Sequence, residues 1–327
     1  MSHSADQNKM TLSIFDGLGK SQTLDQRLAR GGEGEIYPLL HKPDILVKCY
    51  YDHVLEKNQR TLQAKVQAMH SLRHALQGRP FSWPAISVFD QNKAWKGYAM
   101  PRVQGHTLRV LAHALAYKKY APALNRLDIV KVLISLLENV EYLHQQGIMI
   151  GDYNLSNFMW NSADFSVSFI DCDSYQIQIG QQCYPCLVGS PDLTAPEHHG
   201  KPFQDIQRTP ASEYFSVAIV LFMCLMLGRH PYDMVGGEDP VQNLCSGKFA
   251  YGQGNHGIPK GNWYNIWSHM PYRLKSLFIQ TFTEGTQNPA KRATISEWIK
   301  ALKIYQKEML KGYHHTEIIP AQPKLSK

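Results

Sequence analysis

The chain has 327 residues, a formal net charge of +7, 43% apolar residues and 19% charged residues. This composition is that of a globular protein rather than of a disordered or fibrous one, and the length predicts two lobes or domains with ample material for a core. Lysine and arginine are scattered along the chain, so no specific nucleic-acid partner is expected. The longest apolar run, residues 217–227, is too short to span a bilayer, so no membrane partner is expected either.

The six cysteines are expected to be reduced thiols. The first 20 residues lack the basic flank and apolar core of a secretory signal, and cysteines in such a long chain predict a cytoplasmic protein. Two of them have a C-x-x-C spacing, but no second pair or nearby histidine repeats it, so whether this pair has a metal or redox role stays open. The cysteines are Cys49, Cys172, Cys183, Cys186, Cys224 and Cys245.

Residues 29–37 read Ala-Arg-Gly-Gly-Glu-Gly-Glu-Ile-Tyr and form a glycine-dense turn between segments that favour strands. Backbone amides without side chains in the way can approach phosphates closely, although most glycine clusters mark only tight turns. The following strand, residues 44–50, places Lys48 among apolar neighbours, where its cation can reach the phosphates of a nucleotide. The alternative for Lys48 is an edge-strand lysine that faces solvent.

Residues 52–77 are predicted to form the single helix of the first lobe, because their apolar residues recur near one face. Those residues are Leu55, Leu62, Val66, Met69 and Leu72. Two further strands are predicted at residues 86–90 and 97–103, and they complete a small sheet.

The clearest predicted helix covers residues 126–146, where apolar residues repeat at alternating intervals of three and four. It is expected to end at Gly147, a residue type that favours the helix C-terminus. An apolar strand then delivers Asp152, a polar loop carries Asn157, and a second apolar strand ends in Asp171. Phosphoryl transfer from a nucleotide needs such a set, with one carboxylate to orient the attacking hydroxyl and two oxygen ligands for a magnesium ion.

The rest of the chain is predicted to be mainly helical, with no internal repeat or long linker. Residues 213–227 are predicted to form a buried helix and residues 271–282 an amphipathic one. A last helix is expected to begin with a capping box of Thr294 and Glu297. Residues 303–327 are expected to form a weakly basic, partly disordered tail.

From about residue 24 to residue 310 the chain resembles a protein kinase. In its sequence pattern it is most similar to divergent bacterial, eukaryotic-like Ser/Thr kinases whose catalytic loop begins Gly-Asp and whose metal motif ends Asp-Ser. The motifs that carry the resemblance are, in chain order, the glycine turn, Lys48, Asp152 with Asn157, Asp171, Ala195-Pro196-Glu197, the buried helix and Arg292.

The resemblance implies an α+β, bilobal protein-kinase-like fold. A small antiparallel sheet and one helix would form the N-lobe, and the C-lobe would be mainly helical. The implied divisions are an N-terminal extension at residues 1–23, the N-lobe at 24–103, the C-lobe at 104–310 and a basic tail at 311–327.

The resemblance also implies ATP as phosphoryl donor, a protein hydroxyl as acceptor and Mg²⁺ as the metal, with Mn²⁺ as an alternative. Asp152 would be the base, Asn157 and Asp171 would hold the metal, and Lys48 would contact the α- and β-phosphates. Adenine would meet the hinge at residues 100–105, where the Pro101 carbonyl can accept a hydrogen bond. The residues implied to bind the nucleotide are Gly31, Gly32, Gly34, Ile36, Lys48, Met100 and Val103.

Two further family features concern pairing. Arg292 is placed to hold Glu197 through a bidentate ion pair. The family also pairs the strand lysine with a helix glutamate, yet the predicted helix offers only Glu56, close to Lys48 in sequence, so the partner of Lys48 stays open.

Several positions depart from the family pattern. Asp173 replaces the glycine after the metal aspartate and would be a second metal contact, a brace or a turn cap. Gly151 replaces the arginine that gathers an activation-loop phosphate, so activity is expected not to require phosphorylation of residues 174–187. The other departures are Ala29 for the first glycine, Ile150 for a histidine, Asn154 for the catalytic-loop lysine and Glu213 for the aspartate that anchors the buried helix.

Two alternatives to a Ser/Thr kinase follow from these departures. One is a nucleotide-binding pseudokinase scaffold, and the other is a small-molecule phosphotransferase of the aminoglycoside or choline kinase type, whose loop Gly151-Asp152 with Asn157 also resembles. Residues 189–197 favour a protein substrate, since they look like the segment that docks one. By analogy with the resembled group, a cognate phosphatase and a von Willebrand-type protein are the expected partners.

Overall fold

The computed structural model describes residues 12–324 except residues 253 and 255. Its contacts divide the chain into two compact units. The first consists of Met1–Val103 and Asp171–Asp173, and the second of Gln104–Ile170 and Ser174–Lys327. The first is built mainly on a sheet and the second on helices, so the predicted α+β class is confirmed. The finer division into an extension, two lobes and a tail stays a prediction.

The first unit contains a seven-stranded antiparallel sheet and one long helix, in agreement with the predicted small sheet and single helix. Its elements are β1 (Ser13–Phe15), β2 (Ser21–Thr23), β3 (Ala29–Arg30), β4 (Gly34–Leu39), β5 (Lys42–Tyr50), α1 (Asp52–Ser71), β6 (Ile86–Phe89) and β7 (Trp95–Pro101). The order across the sheet is β2-β1-β6-β7-β5-β4-β3, and neighbouring strands run antiparallel.

Strand β5, which carries Lys48, lies inside the sheet between β4 and β7. Because successive side chains on a strand point to opposite faces, Lys48 shares a face with Leu46 and Tyr50. Those two residues pack in an apolar cluster with side chains of α1 and with Trp95. The lysine therefore lies on an interior strand beside an apolar cluster and is itself buried, which excludes the solvent-facing alternative.

Helix α1 ends at Ser71, six residues before the predicted end at 77, so that boundary was wrong. The indole of Trp83 donates to the Met69 carbonyl at 2.9 Å and satisfies one of the acceptors that a helix C-terminus leaves open. Beyond Leu72 most side chains are exposed, so burial no longer supports a helical turn there.

Residues within the predicted N-terminal extension add two strands to the sheet. Strand β1 pairs with β2 and, through Phe15 and Phe89, with β6. Ile14 and Leu24 are buried in an apolar cluster on one side of the sheet, together with Val47. Strands of three residues are too short to show the alternation that marks a strand in sequence, so they were not predicted.

The second unit is mainly helical, as predicted for the C-lobe. Its strands are β8 (His106–Thr107), β9 (Phe158–Trp160), β10 (Val167–Phe169), β11 (Ile177–Ile179) and β12 (Gln182–Tyr184). Its helices are α2 (Ala116–Tyr120), α3 (Arg126–Gln145), α4 (Pro210–Leu225), α5 (Pro240–Ser246), α6 (Trp263–His269), α7 (Tyr272–Phe282), α8 (Glu284–Gln287) and α9 (Ile295–Leu310).

The predicted helices of this unit are found, with small shifts at their ends. Helix α3 begins at an Asn125 and Asp128 capping box and is followed by Gly147 at a φ of +71°, a conformation that favours glycine. Helix α4 begins three residues before the predicted start, because the Thr209 side chain accepts from the Ser212 amide and caps it. Helix α9 begins at Thr294 with the predicted capping box.

Helix α4 is almost entirely buried. Among the residues that the structure describes, neither α4 nor any other helix has the length and hydropathy needed to cross a membrane.

The tail is ordered over its described residues, so the expected partial disorder was wrong up to Lys324. Residues 303–310 belong to α9. The Arg126 amide then donates to the Thr316 carbonyl at 2.7 Å, and the buried Arg126 guanidinium binds the carbonyls of Ile318 and Leu225. The buried Ile318 side chain anchors the segment. Backbone carbonyls supply most of these contacts, and they leave no signature in the sequence.

Candidate active site

Lys48 lies in a cluster of acidic residues within the first unit. Its Nζ is 2.7 Å from Asp173 Oδ2, 3.1 Å from Asp171 Oδ1 and 3.6 Å from Glu33 Oε2. The lysine side chain is only 7% exposed, and a buried cation requires such partners. We call Lys48, Glu33, Tyr50, Asp171 and Asp173 the Lys48 cluster.

Tyr50 fixes the central carboxylate of the Lys48 cluster. Its hydroxyl donates to Asp173 Oδ2 at 2.5 Å, and its ring centroid lies 5.1 Å from Lys48 Nζ. The Tyr50 ring is itself held in the core, with its centroid 5.4 Å from that of Trp95. A single carboxylate oxygen therefore accepts from both the ammonium and the phenol.

Burial and charge act against each other in this cluster. Burial disfavours the charged form of Lys48, but the carboxylates of Asp173 and Asp171 outweigh it and raise the lysine pKa well above its usual value. Burial likewise opposes ionisation of Asp173, yet Lys48 keeps the pKa of that carboxyl below its usual value. The buried pair is therefore charged at neutral pH. Glu33 differs, because burial raises its pKa.

The glycine turn connects β3 and β4, as the flanking strand propensities predict. The Gly31 amide donates to the Gly34 carbonyl at 2.9 Å and closes the turn. A Cβ on Gly34 would lie 2.3 Å from the Cys49 carbonyl oxygen, so only glycine allows β4 to approach β5 this closely. Gly32 lies in the open turn, and Ile36 pairs with Lys48 across the two strands.

The predicted hinge residues lie at the end of β7. Met100 is buried and pairs with Leu46 of β5, while Val103 follows the strand and is half-buried. The Pro101 carbonyl, predicted as an adenine acceptor, already accepts from the Ser82 hydroxyl at 2.8 Å. A carbonyl has two lone pairs, so Ser82 leaves one acceptor position at Pro101.

Asp152, Asn157 and Ser190 lie together in the second unit, and we call them the Asp152 cluster. The Asn157 amide nitrogen is 3.3 Å from both Asp152 Oδ2 and the Asp152 carbonyl. On the other oxygen, the Ser190 hydroxyl donates to Asp152 Oδ1 at 3.2 Å. The Asp152 carboxylate therefore already accepts a hydrogen bond from an aliphatic hydroxyl, the interaction that a general base makes with an alcohol nucleophile.

Glu213 of α4 anchors the loop that presents Asp152. Its buried carboxylate accepts from the Gly151 amide at 2.6 Å and from the Tyr153 hydroxyl at 2.8 Å, and it lies 2.7 Å from His144 Nε2. The replacement of aspartate by glutamate at this position thus preserves the link between buried helix and loop. Carboxylate hydrogen bonds to backbone amides are among the stronger ones in proteins.

Gly151 is required by its surroundings. Its φ is +76°, and a Cβ there would lie 2.6 Å from the Sγ of Cys186. Cys186 is buried, and its thiol contacts the Val188 carbonyl at 3.2 Å. Cys186 therefore packs where a side chain at position 151 would begin.

Over the described residues no group of three or more His, Cys, Asp or Glu side chains is arranged to hold a metal, near the C-x-x-C pair or elsewhere.

Glu197 and Arg292 form the predicted bidentate pair, and this prediction is confirmed. Arg292 NH1 lies 2.7 Å from Glu197 Oε1, and NH2 lies 2.7 Å from Oε2. The same guanidinium donates to the carbonyls of Gly285 and Ala211. The arginine side chain is fully buried and the glutamate side chain is 33% exposed, so the pair is buried mainly on the arginine side.

Several contacts around these residues were not predicted. No sequence argument paired Lys48 with Asp173 and Tyr50, or Ser190 with Asp152. The Arg109 guanidinium, from a segment after β8, bonds to Ser156 and lies 3.2 Å from Asn154 Oδ1, so it brings a cation beside the position that lacks the catalytic-loop lysine. Of the residues that make these contacts, only Asp173 was noted in the sequence as unusual.

The family model described as "Protein kinase domain" matches residues 24–302, most of the chain. The chain belongs to the protein kinase family. The bilobal, protein-kinase-like fold class implied by the sequence is thereby confirmed.

Curated relatives of this kinase are distant. It is 26% identical over 316 residues to "Protein kinase YegI" of Escherichia coli K12 and 25% identical over 315 residues to the protein of that name from E. coli O157:H7, covering 93% and 92% of this chain. A "Probable serine/threonine-protein kinase irlC" of Dictyostelium discoideum is 21% identical over 129 residues, which are 39% of this chain and 9% of that protein. The chain spans about half the length of the two YegI proteins, 47% in each case.

Two side chains of the kinase offer oxygen atoms of the kind that Mg²⁺ binds. Asp171 has a φ of +59°, an unusual conformation for a non-glycine residue and one found at functional sites, and its carboxylate is half-exposed. The Asn157 amide nitrogen faces Asp152, which leaves Asn157 Oδ1 as an acceptor for a ligand. Carboxylate and amide oxygens are the donors that Mg²⁺ prefers, and in kinases substrate phosphates supply further ligands.

Proposed function

We propose that the chain is an ATP-dependent Ser/Thr protein kinase. The observation that carries the proposal is the hydrogen bond from the Ser190 hydroxyl to Asp152. This bond supports the role of Asp152 as a base, because the carboxylate is accessible to an aliphatic hydroxyl and is oriented by Asn157. A pseudokinase would be expected to lack one of the residues that touch phosphate, acceptor or metal, whereas Lys48, Asp152, Asn157 and Asp171 are all present.

In the proposed reaction, Asp152 orients the acceptor hydroxyl and accepts its proton as the phosphoryl group is transferred. Asn157 holds Asp152 through its amide nitrogen and offers its oxygen to a metal. Asp171 is the charged metal ligand, and Lys48 contacts the α- and β-phosphates of the nucleotide. Mg²⁺, when bound with ATP, neutralises charge that develops on the transferred phosphate.

The remaining nucleotide contacts are proposed at the first unit's turn and at β7. The turn that contains Gly31, Gly32 and Gly34 would approach phosphate, where side chains would obstruct a close approach. Ile36, Met100 and Val103 would contact the base and sugar. This assignment follows the family resemblance and the positions of these residues on β4 and β7.

A protein acceptor is favoured over a small molecule by the segment around Glu197. The bidentate pair with Arg292 and the bond from Ser190 to Asp152 hold two ends of residues 190–197. An ordered segment beside the base offers a surface to an extended peptide. The phosphatase and the von Willebrand-type protein remain proposed partners. The cytoplasm is the proposed location.

The test is transfer of labelled phosphate from ATP. The protein is incubated with Mg²⁺ and ATP, alone, with mixed protein substrates and with small alcohols such as choline and aminoglycosides, and labelled residues are identified by mass spectrometry. Label on serine or threonine is the expected result. Label on a small alcohol, on tyrosine alone, or on nothing while nucleotide still binds would overturn the proposal.

A further inference from the structure

We propose that Asp173, held by Tyr50, is the residue that positions Lys48, in place of a glutamate from α1. The proposal rests on the proposed function, in which Lys48 contacts nucleotide phosphates. In this proposal the partner of Lys48 is Asp173, which lies two residues after the proposed metal ligand Asp171.

Burial distinguishes Asp173 from the other two carboxylates near Lys48. The Asp173 side chain is 5% exposed, whereas those of Asp171 and Glu33 are 50% and 49% exposed. Asp173 also makes the shortest contact, at 2.7 Å. A half-exposed carboxylate can turn to a metal or to solvent, while a buried one is fixed by its surroundings. Asp173 is therefore the permanent partner, and Asp171 is the more exposed of the two aspartates.

Tyr50 makes the position of Asp173 specific. It lies two residues after Lys48 on β5, so both side chains project from the same face of the strand. Its hydroxyl and the lysine ammonium share Asp173 Oδ2, and its ring is fixed in the apolar cluster by Trp95 and Tyr98. The strand thus supplies both the cation and the group that orients its counter-ion.

Helix α1 supplies no carboxylate to Lys48 among the described contacts. Its two acidic residues are Asp52, which is exposed and pairs with Lys96, and Glu56, which is exposed. The carboxylate that pairs with Lys48 is consequently not supplied by α1, although side chains of α1 pack with Tyr50 in the apolar cluster. Instead Lys48 pairs with Asp171 and Asp173, which places the phosphate-binding lysine beside the proposed metal ligand.

The experiment measures nucleotide affinity, which does not depend on successful phosphate transfer. Dissociation constants for a fluorescent ATP analogue are determined with Mg²⁺ and with EDTA for wild type, Asp173→Asn and Tyr50→Phe. We expect Asp173→Asn to weaken binding about tenfold and Tyr50→Phe about threefold under both conditions, because the first removes the negative charge that holds Lys48 and the second removes the hydrogen bond that orients Asp173. The double variant should be little worse than Asp173→Asn, since the two act on one carboxylate.

Two matched control positions lie just after β5 and on α1. Tyr51→Phe alters the adjacent tyrosine, whose hydroxyl contacts Arg30 instead of Asp173, and Glu56→Gln alters the exposed glutamate of α1. Both should bind nucleotide as wild type does. If Asp173→Asn does not fold, Tyr50→Phe, which changes one oxygen atom, decides the question.

Three results would overturn the inference. Weakening seen only with Mg²⁺ would make Asp173 a metal ligand, and unchanged binding in both variants would make the cluster structural. Weakening by Glu56→Gln to the same degree would restore the helix as the source of the partner. A wild type that binds nucleotide but transfers no phosphate would instead contradict the proposed function while leaving this assignment intact.

Discussion

Asp171, the proposed metal ligand, lies just after β10. Its carboxylate is half-exposed, and its backbone is left-handed at a φ of +59°. Lys48 occupies one of its oxygens at 3.1 Å, so a metal would share the carboxylate with the lysine. Because Mg²⁺ tolerates few replacements of its charged oxygen ligands, the effect of altering Asp171 should depend on the metal.

Asp171→Asn should therefore lose most of the stabilisation that ATP gives in the presence of Mg²⁺, while the smaller stabilisation by ATP in EDTA should persist. Thermal unfolding with and without the metal measures both quantities. Asp52→Asn, at an exposed ion pair with Lys96, is the control and should behave as wild type. An equal loss with and without Mg²⁺ would show that Asp171 acts on the nucleotide or on folding instead.

His198 predicts a loss of stability in acid. Burial lowers its pKa from 6.5 to about 4, and its Nε2 makes no hydrogen bond. The unfolded chain takes up this proton first as the pH falls, so the contribution of His198 is complete above pH 6.5 and is lost progressively towards pH 4. His198→Asn should flatten the fall in melting temperature over that window, whereas His53→Asn, at an exposed position, should not. Parallel curves for wild type and His198→Asn would contradict this account.

At the scale of elements, the pair of Glu197 and Arg292 joins the segment at residues 190–197 to the helical unit. Arg292 also contacts the Phe215 ring, with its guanidinium carbon 5.0 Å from the centroid. Removing one partner leaves the other charge, or its carbonyl partners, without compensation, which is more costly than losing a surface pair.

Arg292→Ala should lower the free energy of unfolding by about 3–5 kcal/mol, measured by urea denaturation. Lys303→Ala is the matched control, because its pair with Glu138 is about half exposed on both sides and should contribute less than about 1 kcal/mol. Equal stabilities for wild type and Arg292→Ala would show that the pair is not a structural link.

The loop at residues 174–187 should not need phosphorylation for activity. Gly151 has no side chain to bind a phosphate there, and Cys186 packs against it. Of the acceptors in the loop, Tyr175 is fully buried and Ser174 and Tyr184 are half-buried. Phosphatase treatment should leave the rate of transfer unchanged, as should Ser174→Ala and Tyr184→Phe. A large loss of rate traced to any of these three residues would refute the prediction.

At the scale of the whole molecule, the sequence predicted the features that depend on neighbouring residues. The apolar repeat of α3, the Thr294 cap and the spacing from Asp152 to Asn157 are local patterns, and the structure contains the helix, the cap and a contact between Asp152 and Asn157. The pair of Glu197 and Arg292 was predicted across 95 residues only because a family resemblance supplied it. The sequence by itself contains no signal that joins two such distant charges.

Contacts without a local pattern were missed for the same reason. Asp173 contacts Lys48 and Tyr50 across more than 120 residues, and near the end of α1 an indole from outside the helix donates to the Met69 carbonyl. The tail is held largely by backbone carbonyls, which every residue carries. Propensity and periodicity describe single elements, while these contacts depend on how elements pack.

The proposed role of Asp152 as the base of a phosphotransferase is tested most directly by a comparison of Asp152→Asn with wild type. The variant keeps the shape of the side chain but cannot accept the hydroxyl proton, so turnover should fall by about a hundredfold or more while nucleotide affinity is nearly unchanged. Single-turnover transfer of labelled phosphate and the dissociation constant of the ATP analogue give the two values. Undiminished transfer by the variant would contradict the account.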